Sequence, residues 1–241
     1  MDTARISELL QPFLTPCHSE RSEESTVLAS GQLNNISTYI DILLRWNARI
    51  NLTAVRQPEG IVTRHFGESL FAARHLFPCG GPVQTHVGAD APVRPDNDQQ
   101  PPTNIRVLDV GSGAGFPGLP IKIWAPHIQL TLIESNHKKA MFLREAIRTL
   151  TLTNVNVFPA RAEDYAAAPA NVVTLRAVER FEKALPVAAR LVATAGHLAL
   201  LIGASQLAAV SGLTLGFDWA DPIPVPLSSS RILLIGTKEP V

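Results

Sequence analysis

Cysteine is scarce: the 241 residues contain two, Cys17 and Cys79. Both sit in polar, proline-containing stretches with no CxxC spacing. That weighs against a disulfide scaffold or a metal site and favours a reducing cytosol. Charge is sparse as well. Charged residues make up 17% of the chain, and 21 Lys plus Arg balance 21 Asp plus Glu to a formal net charge of zero. A general coat of positive charge for nucleic acid is excluded, whereas a local basic patch is not. Long apolar runs are missing. The most apolar late segment, Leu198 to Ala204, is far shorter than the roughly 20 residues of a membrane-spanning helix. The amino-terminal MDTARISELLQPF is too polar for a signal peptide. A cytoplasmic protein away from the membrane is expected, and nothing in the sequence demands more than a monomer. What the chain does have is apolar material, 46% of its residues, enough for a sizeable core and too much for a disordered chain.

Three regions are expected. Residues 1–77 read as a helical cap. From Ile36 the apolar residues Ile36, Tyr39, Leu43, Trp46 and Ile50 recur at steps of three and four, which puts them on one helix face, and Asn51 can end that helix. A further helix is expected over 57–74, carrying Ile61, Val62, Phe66, Leu70 and Phe71. Residues 14–28 are polar decoration. Residues 78–104, rich in Pro, Gly, Asp and Asn, read as a long flexible insertion that holds much of the proline. Residues 105–241 alternate strand and helix patterns. Strands are expected at 105–110, 130–133, 155–158, 172–175, 197–202, 213–217 and 231–236, with helices after Pro117, over 137–150 and over 180–191. This is the pattern of an α/β fold with a mostly parallel sheet, closed by an antiparallel edge pair.

The strongest local signal is Val107-Leu108-Asp109-Val110-Gly111-Ser112-Gly113-Ala114-Gly115-Phe116-Pro117-Gly118. Glycines directly after a strand and before a helix allow a tight turn and close approach of a ligand to backbone N–H groups. Glu134 closes the next strand, where a carboxylate can accept both hydroxyls of a ribose. Together they point to a nucleoside-containing ligand. No G-x-x-x-x-G-K-S/T loop is present, so a P-loop NTPase is disfavoured. After the third strand comes Arg161-Ala162-Glu163-Asp164, whose acids or amides could meet an adenine, with a solvated charge cluster as the other reading. At the end of the fourth lies Arg176, at the carboxyl edge where open α/β sheets place their ligands. A salt bridge to Glu179 or Glu182 competes with a site role.

At these residues the chain resembles the bacterial small-subunit rRNA methyltransferase G family, also called GidB. Leu44-Arg45-Trp46-Asn47 and Asn51-Leu52-Thr53-Ala54-Val55 resemble its W-N-x-x-x-N-L-T signature. Arg64-His65 with Glu68-Ser69 resembles its R-H-x-x-D-S element, Glu replacing Asp. DVGSGAGFPGLP, from Asp109 to Pro120, is very close to its cofactor loop, and Arg161-Ala162-Glu163 and Arg176-Ala177 complete the set. Two positions depart: Leu175, where the family commonly has Ser, and Ile202, where it commonly has Lys.

The resemblance implies a class I methyltransferase fold, Rossmann-like and seven-stranded, with an N-terminal helical cap. It implies S-adenosyl-L-methionine as cofactor and N7 of one guanine in the 530 loop of 16S rRNA as the methylated atom. The partner would be 16S rRNA within the 30S subunit or an assembly intermediate. Gly111, Gly113, Gly115 and Phe116 would line the cofactor site, Glu134 would hold the ribose, and Ala162 and Glu163 would meet the adenine. Arg176 would sit near the methionine end or the guanine, as the candidate catalytic residue. RNA contacts are expected from Arg64, His65, Lys122 and Arg231, with Arg45, Arg49, Lys138, Lys139 and Arg144 as further candidates. Guanine N7 carries a free lone pair, so no general base and no metal is required; the protein's task is alignment. Other readings remain: a class I methyltransferase with another RNA base or a non-RNA substrate, favoured by Leu175 and Ile202, or a non-catalytic cofactor-binding protein of ribosome assembly. A nicotinamide-dependent oxidoreductase ranks last, since no acid–base residue for hydride chemistry is evident.

Overall fold

The computed structural model describes residues 1–15, 28–78, 105–178 and 180–240. The 78–104 insertion beyond Pro78, most of the polar 14–28 stretch, both cysteines and Glu179 lie outside them. Among the described residues no helix is long and apolar enough to cross a membrane.

The amino-terminal part is helical. Helix α1 (Thr3–Leu14) buries Ile6, Leu10, Phe13 and Leu14. Helix α2 (Ser30–Ile50) buries Ile36, Tyr39, Ile40 and Leu43 on the face expected from their spacing, and Asn51 ends it in the left-handed conformation at φ 50°. Instead of one regular helix over 57–74, the chain forms α3 (Pro58–Ile61), a π-helical stretch (Val62–Gly67) and α4 (Glu68–Leu76). Gly67 ends the π-helical stretch. A Cβ there would come within 2.5–2.7 Å of the Phe13 ring, so α1 packs directly on the backbone at that point.

The sheet follows. Strands β1 (Arg106–Val110), β2 (Gln129–Ile133), β3 (Val155–Phe158), β4 (Ala170–Arg176) and β5 (Val192–Gly203) are parallel, in the spatial order β3-β2-β1-β4-β5. Strand β6 (Phe217–Trp219) and the two-residue β7 (Ile223–Pro224) both pair antiparallel with β8 (Arg231–Lys238), which also runs antiparallel to β5. The fold is therefore α/β and Rossmann-like, with a mixed sheet. The strand expected at 213–217 is corrected: Leu207–Leu213 is a helix, α8, because Val210 turns into the core, and Gly216 at φ 76° redirects the chain before β6 begins.

Helices α5 (Gly118–Trp124) and α6 (His137–Thr149) lie with the cap on one sheet face, and α7 (Phe181–Arg190) and α8 on the other. Alternation along β1 divides the core. Val107 joins the cap side with Tyr39, Leu119 and Phe142, whereas Leu108 and Val110 join Leu185 and Leu200 opposite. Tyr39 stacks on Phe116 at 5.4 Å and its hydroxyl donates to the carbonyl of Ala114; Gln32 Nε2 donates to the carbonyl of Ile123 at 2.7 Å. Trp46 packs edge-on against Phe142, as a core residue. Helical cap and sheet thus share one hydrophobic core, and the carboxyl ends of β1, β2 and β4 open beneath the cap.

Candidate active site

Beneath the cap lies a cleft of about 730 Å³, at the sheet edge where β1 is flanked by β2 and β4. Reversal of strand order at β1 is what leaves such a crevice. The floor is the glycine loop. Gly111 has φ 72°, and a Cβ there would meet Val178 at 2.8 Å; Gly113 faces open space, its nearest neighbour being its own loop at 3.8 Å. Gly111, Gly113 and Phe116 line the cleft. Gly115 does not. At φ 84° its missing side chain makes room for Leu119 and the Tyr39 hydroxyl, so Gly115 packs toward the cap and the cleft lining does not include it.

Glu134 organises one wall. Its Oε2 accepts from the Gly113 N–H at 2.8 Å and its Oε1 from the Asn136 N–H at 2.7 Å. Asn136 in turn caps α6, its Oδ1 accepting from the Lys138 and Lys139 N–H groups. Ala162 and Glu163, in the single 3₁₀ turn after β3, line the same cleft. Under the loop Asp109 is wholly buried. Its Oδ1 accepts from the Thr174 hydroxyl at 2.9 Å and its Oδ2 from the Gly118 N–H at 3.2 Å. Burial raises its carboxyl to about 6, against those hydrogen bonds, which pull it down. In the sequence Asp109 stands out only as a charge inside the apolar run Val107-Leu108-Asp109-Val110.

The opposite wall is a hydrogen-bonded chain that the cap motifs build. Asn47 grips Thr53 twice, Nδ2 to its carbonyl and Oδ1 from its N–H, both at 2.9 Å. This closes the loop that Asn51 opens. The Thr53 hydroxyl lies 2.7 Å from His65 Nε2, and His65 Nδ1 lies 3.3 Å from the Arg176 guanidinium. With an arginine on one side, Nδ1 accepts and Nε2 carries the proton toward Thr53. The imidazole stacks on Phe116 at 4.8 Å. Burial, with Arg176, Arg64 and Arg231 nearby, lowers its pKa to about 3, so it is neutral.

This shift carries a pH prediction. The unfolded histidine takes a proton near 6.5, the folded one only near 3, so stability from His65 is present above 6.5 and lost as pH falls toward 3. Asp109 acts in the opposite sense between its unfolded value of 3.8 and about 6. Wild type should therefore lose about 2 kcal/mol relative to His65→Gln between pH 7 and pH 5. Urea titrations at the two pH values measure it, and a constant difference would refute the assignment.

Arg176 ends β4 almost wholly buried. Its Nη2 donates to Glu68 Oε2 at 2.9 Å and to the Arg64 carbonyl at 2.6 Å. Its salt-bridge partner is Glu68 of α4, and Glu182 is not bonded to it. Burial pulls its pKa below the ordinary arginine value while Glu68 pulls the other way. Arg64 contributes that carbonyl, and its own side chain is exposed. Arg231 turns its Nε toward Glu68 Oε1 at 3.5 Å and lies outside the cleft lining.

Lys122 corrects its expected RNA contact outright. It is 2% exposed, and Nζ donates to the carbonyls of Pro126 and Ile128 at 2.6 Å each. From α5 it reaches the loop that leads to β2 and satisfies two of that loop's buried carbonyls. Lys122→Ala should lower unfolding free energy by about 1–3 kcal/mol and leave RNA affinity of the folded protein unchanged. Chemical denaturation beside RNA titration measures both, and weakened RNA binding at unchanged stability would restore the surface role. The cations that do rim the cleft are Lys139, Arg161, Arg180 and Lys183, none of them in an ion pair with a described residue. The departing residues Leu175 and Ile202 both point into the core on the α7 side, away from the cleft.

The family model described as GidB, rRNA small subunit methyltransferase G, matches residues 32–79 and 96–214. A ribosomal RNA small subunit methyltransferase G of Xanthomonas axonopodis pv. citri is 32% identical over 91% of this chain and 93% of its own length. One from Xylella fastidiosa is 34% identical over 83% of this chain and 84% of its own. Among solved structures, TYW2 of P. horikoshii in complex with MeSAdo aligns at 15% identity and TM-score 0.49, over 57% of this chain and 58% of that one. Over a match that takes in the cap signature, the glycine loop and the strand ends that form the cleft, this chain belongs to the rRNA small subunit methyltransferase G family.

Proposed function

We propose that the protein transfers the methyl group of S-adenosyl-L-methionine to N7 of a guanine in the 530 loop of 16S rRNA, within the 30S subunit or a precursor of it. The observation that carries this reading is one cleft in which the glycine loop meets the cap signature, in a chain of this family. The cleft fits the cofactor. Its volume is of the size that holds a nucleoside-bearing ligand. Gly113 leaves open space where a side chain would stand, and the Glu134 carboxylate is held at the strand end by two backbone N–H groups. Glu134 would hold the ribose hydroxyls, Gly111 and Phe116 would flank the methionine portion, and Ala162 and Glu163 would meet the adenine. When bound, the cofactor supplies a methyl group activated by a sulfonium.

The chain's own residues then have to bind, orient and exclude water. Guanine presents N7 and O6 as acceptors on one edge. Of the five N–H bonds of Arg176, Nε–H and one Nη2–H go to Glu68, the second Nη2–H goes to the Arg64 carbonyl, and one Nη1–H goes to His65, whose Nδ1 lies 3.3 Å from both Nη1 and Nη2. The remaining Nη1–H is available to O6, which leaves the N7 lone pair free for in-line attack. Adenine would present an amino group there and be refused. His65, neutral and with both nitrogens engaged, adds no competing proton for N7. The zero net charge of the chain is compatible with RNA because the cleft mouth concentrates Lys139, Arg161, Arg180 and Lys183.

Purified protein, labelled S-adenosyl-L-methionine and undermethylated 30S subunits test the reading, with the modified base mapped by sequencing. Label at guanine N7 of the 530 loop is expected. Label on another base or on protein would select the rival methyltransferase reading, and cofactor binding without transfer would select an assembly protein.

A further inference from the structure

Glu68 was visible in the sequence only as a variant of a motif. In the fold it is 4% exposed and stands between two guanidiniums. Oε2 accepts from Arg176 Nε at 3.3 Å and Nη2 at 2.9 Å, and Oε1 faces Arg231 Nε at 3.5 Å. These residues come from three elements: α4 of the cap, the carboxyl end of β4 and the start of β8. The π-helical stretch before α4 adds the Arg64 carbonyl, which accepts from the same Arg176 Nη2 at 2.6 Å.

We infer that Glu68 is a positioning residue for methyl transfer, acting through Arg176 by fixing the plane of its guanidinium so that Nη1 is the end presented to the cleft. A planar fork bonded along its Nε–Nη2 side to one carboxylate has a single orientation. Without the carboxylate, Arg176 and Arg231 repel each other in a poorly solvated space, and Nε and Nη2 lose their acceptor. Arg176 would then swing, and any donor it offers a purine would move with it. Glu68 itself does not line the cleft, so its effect on substrate is through its partner.

The inference rests on the methyltransferase reading above, and one set of measurements separates the two. Wild type, Glu68→Gln, Glu68→Asp, Arg176→Ala and the double variant Glu68→Gln/Arg176→Ala are assayed on undermethylated 30S subunits, with cofactor affinity by calorimetry and thermal unfolding alongside. Glu68→Gln should lower kcat/KM about 30-fold, within the range of coupled buried pairs, while cofactor affinity stays within about threefold. Glu68→Asp, which keeps the charge on a shorter stem, should recover part of the loss. In the Arg176→Ala background Glu68→Gln should add less than about twofold. The same 30-fold loss in both backgrounds, or a parallel loss of cofactor affinity, overturns the positioning role and makes Glu68 a structural tie. If Glu68→Gln does not fold, the cycle is run with Glu68→Asp and read in the same way. Absence of any transfer by wild type would instead overturn the functional reading.

Discussion

Replacing Arg176 by alanine is expected to lower methyl transfer by about 100-fold or more, the usual effect of removing one preorganised donor from a water-poor site. Affinity for S-adenosyl-L-methionine should change far less, because the glycine loop and Glu134 remain. The physical reason is that Arg176 is held from three sides, by Glu68, the Arg64 carbonyl and His65, before any substrate arrives. No reorganisation is then needed when guanine enters. Arg176→Lys should restore little of the rate. An ammonium is a point charge on a flexible stem and cannot span those three partners and still face the cleft. Single-turnover transfer to undermethylated 30S subunits, with cofactor in excess, is the measurement. Unchanged turnover and RNA affinity in Arg176→Ala would sink its assignment.

Glu134→Ala should have the complementary effect, a loss of cofactor affinity of about 30-fold or more, from about 2 kcal/mol of charge-assisted hydrogen bonding. The carboxylate would serve two functions in one place. It would receive the ribose hydroxyls, and it already ties the Gly113 N–H to the Asn136 N–H, joining the glycine loop to the first turn of α6. Alanine removes the ligand contact and releases the loop. Glu134→Gln should recover only part, since an amide offers one acceptor where two N–H groups now point. Calorimetric titration with the cofactor measures the effect, and residual kcat at saturating cofactor should stay closer to wild type than in Arg176→Ala. Equal losses in kcat for the two variants would contradict this division of labour.

Much of this was legible in the sequence because it depends on local pattern. The run Ile105 to Val110 followed by glycines announced β1 and its loop, and the spacing of Ile36, Tyr39 and Leu43 announced the buried face of α2. The motif positions also gathered: Thr53, His65, Gly113, Glu134, Glu163 and Arg176 line a single cleft. Lys122 could not be read this way. In the sequence it is one cation on a short helix, and only the carbonyls of Pro126 and Ile128 around its Nζ show that it ties down the loop between α5 and β2. Gly115 and Gly113 look equivalent in the loop, yet one faces the cleft and the other the cap, a distinction set by where Tyr39 stands.

By itself the sequence determined an α/β chain, a glycine loop with an acid at the next strand end, and the family resemblance. Those depend on residue type and near spacing, which fix backbone conformation and local hydrogen bonding. The tertiary structure alone decided the pairing of Arg176 with Glu68 across 108 residues, the neutral state of His65 and the burial of Lys122. Each of these is set by desolvation and by partners distant in the chain, and neither can be read until the cap is seated on the sheet.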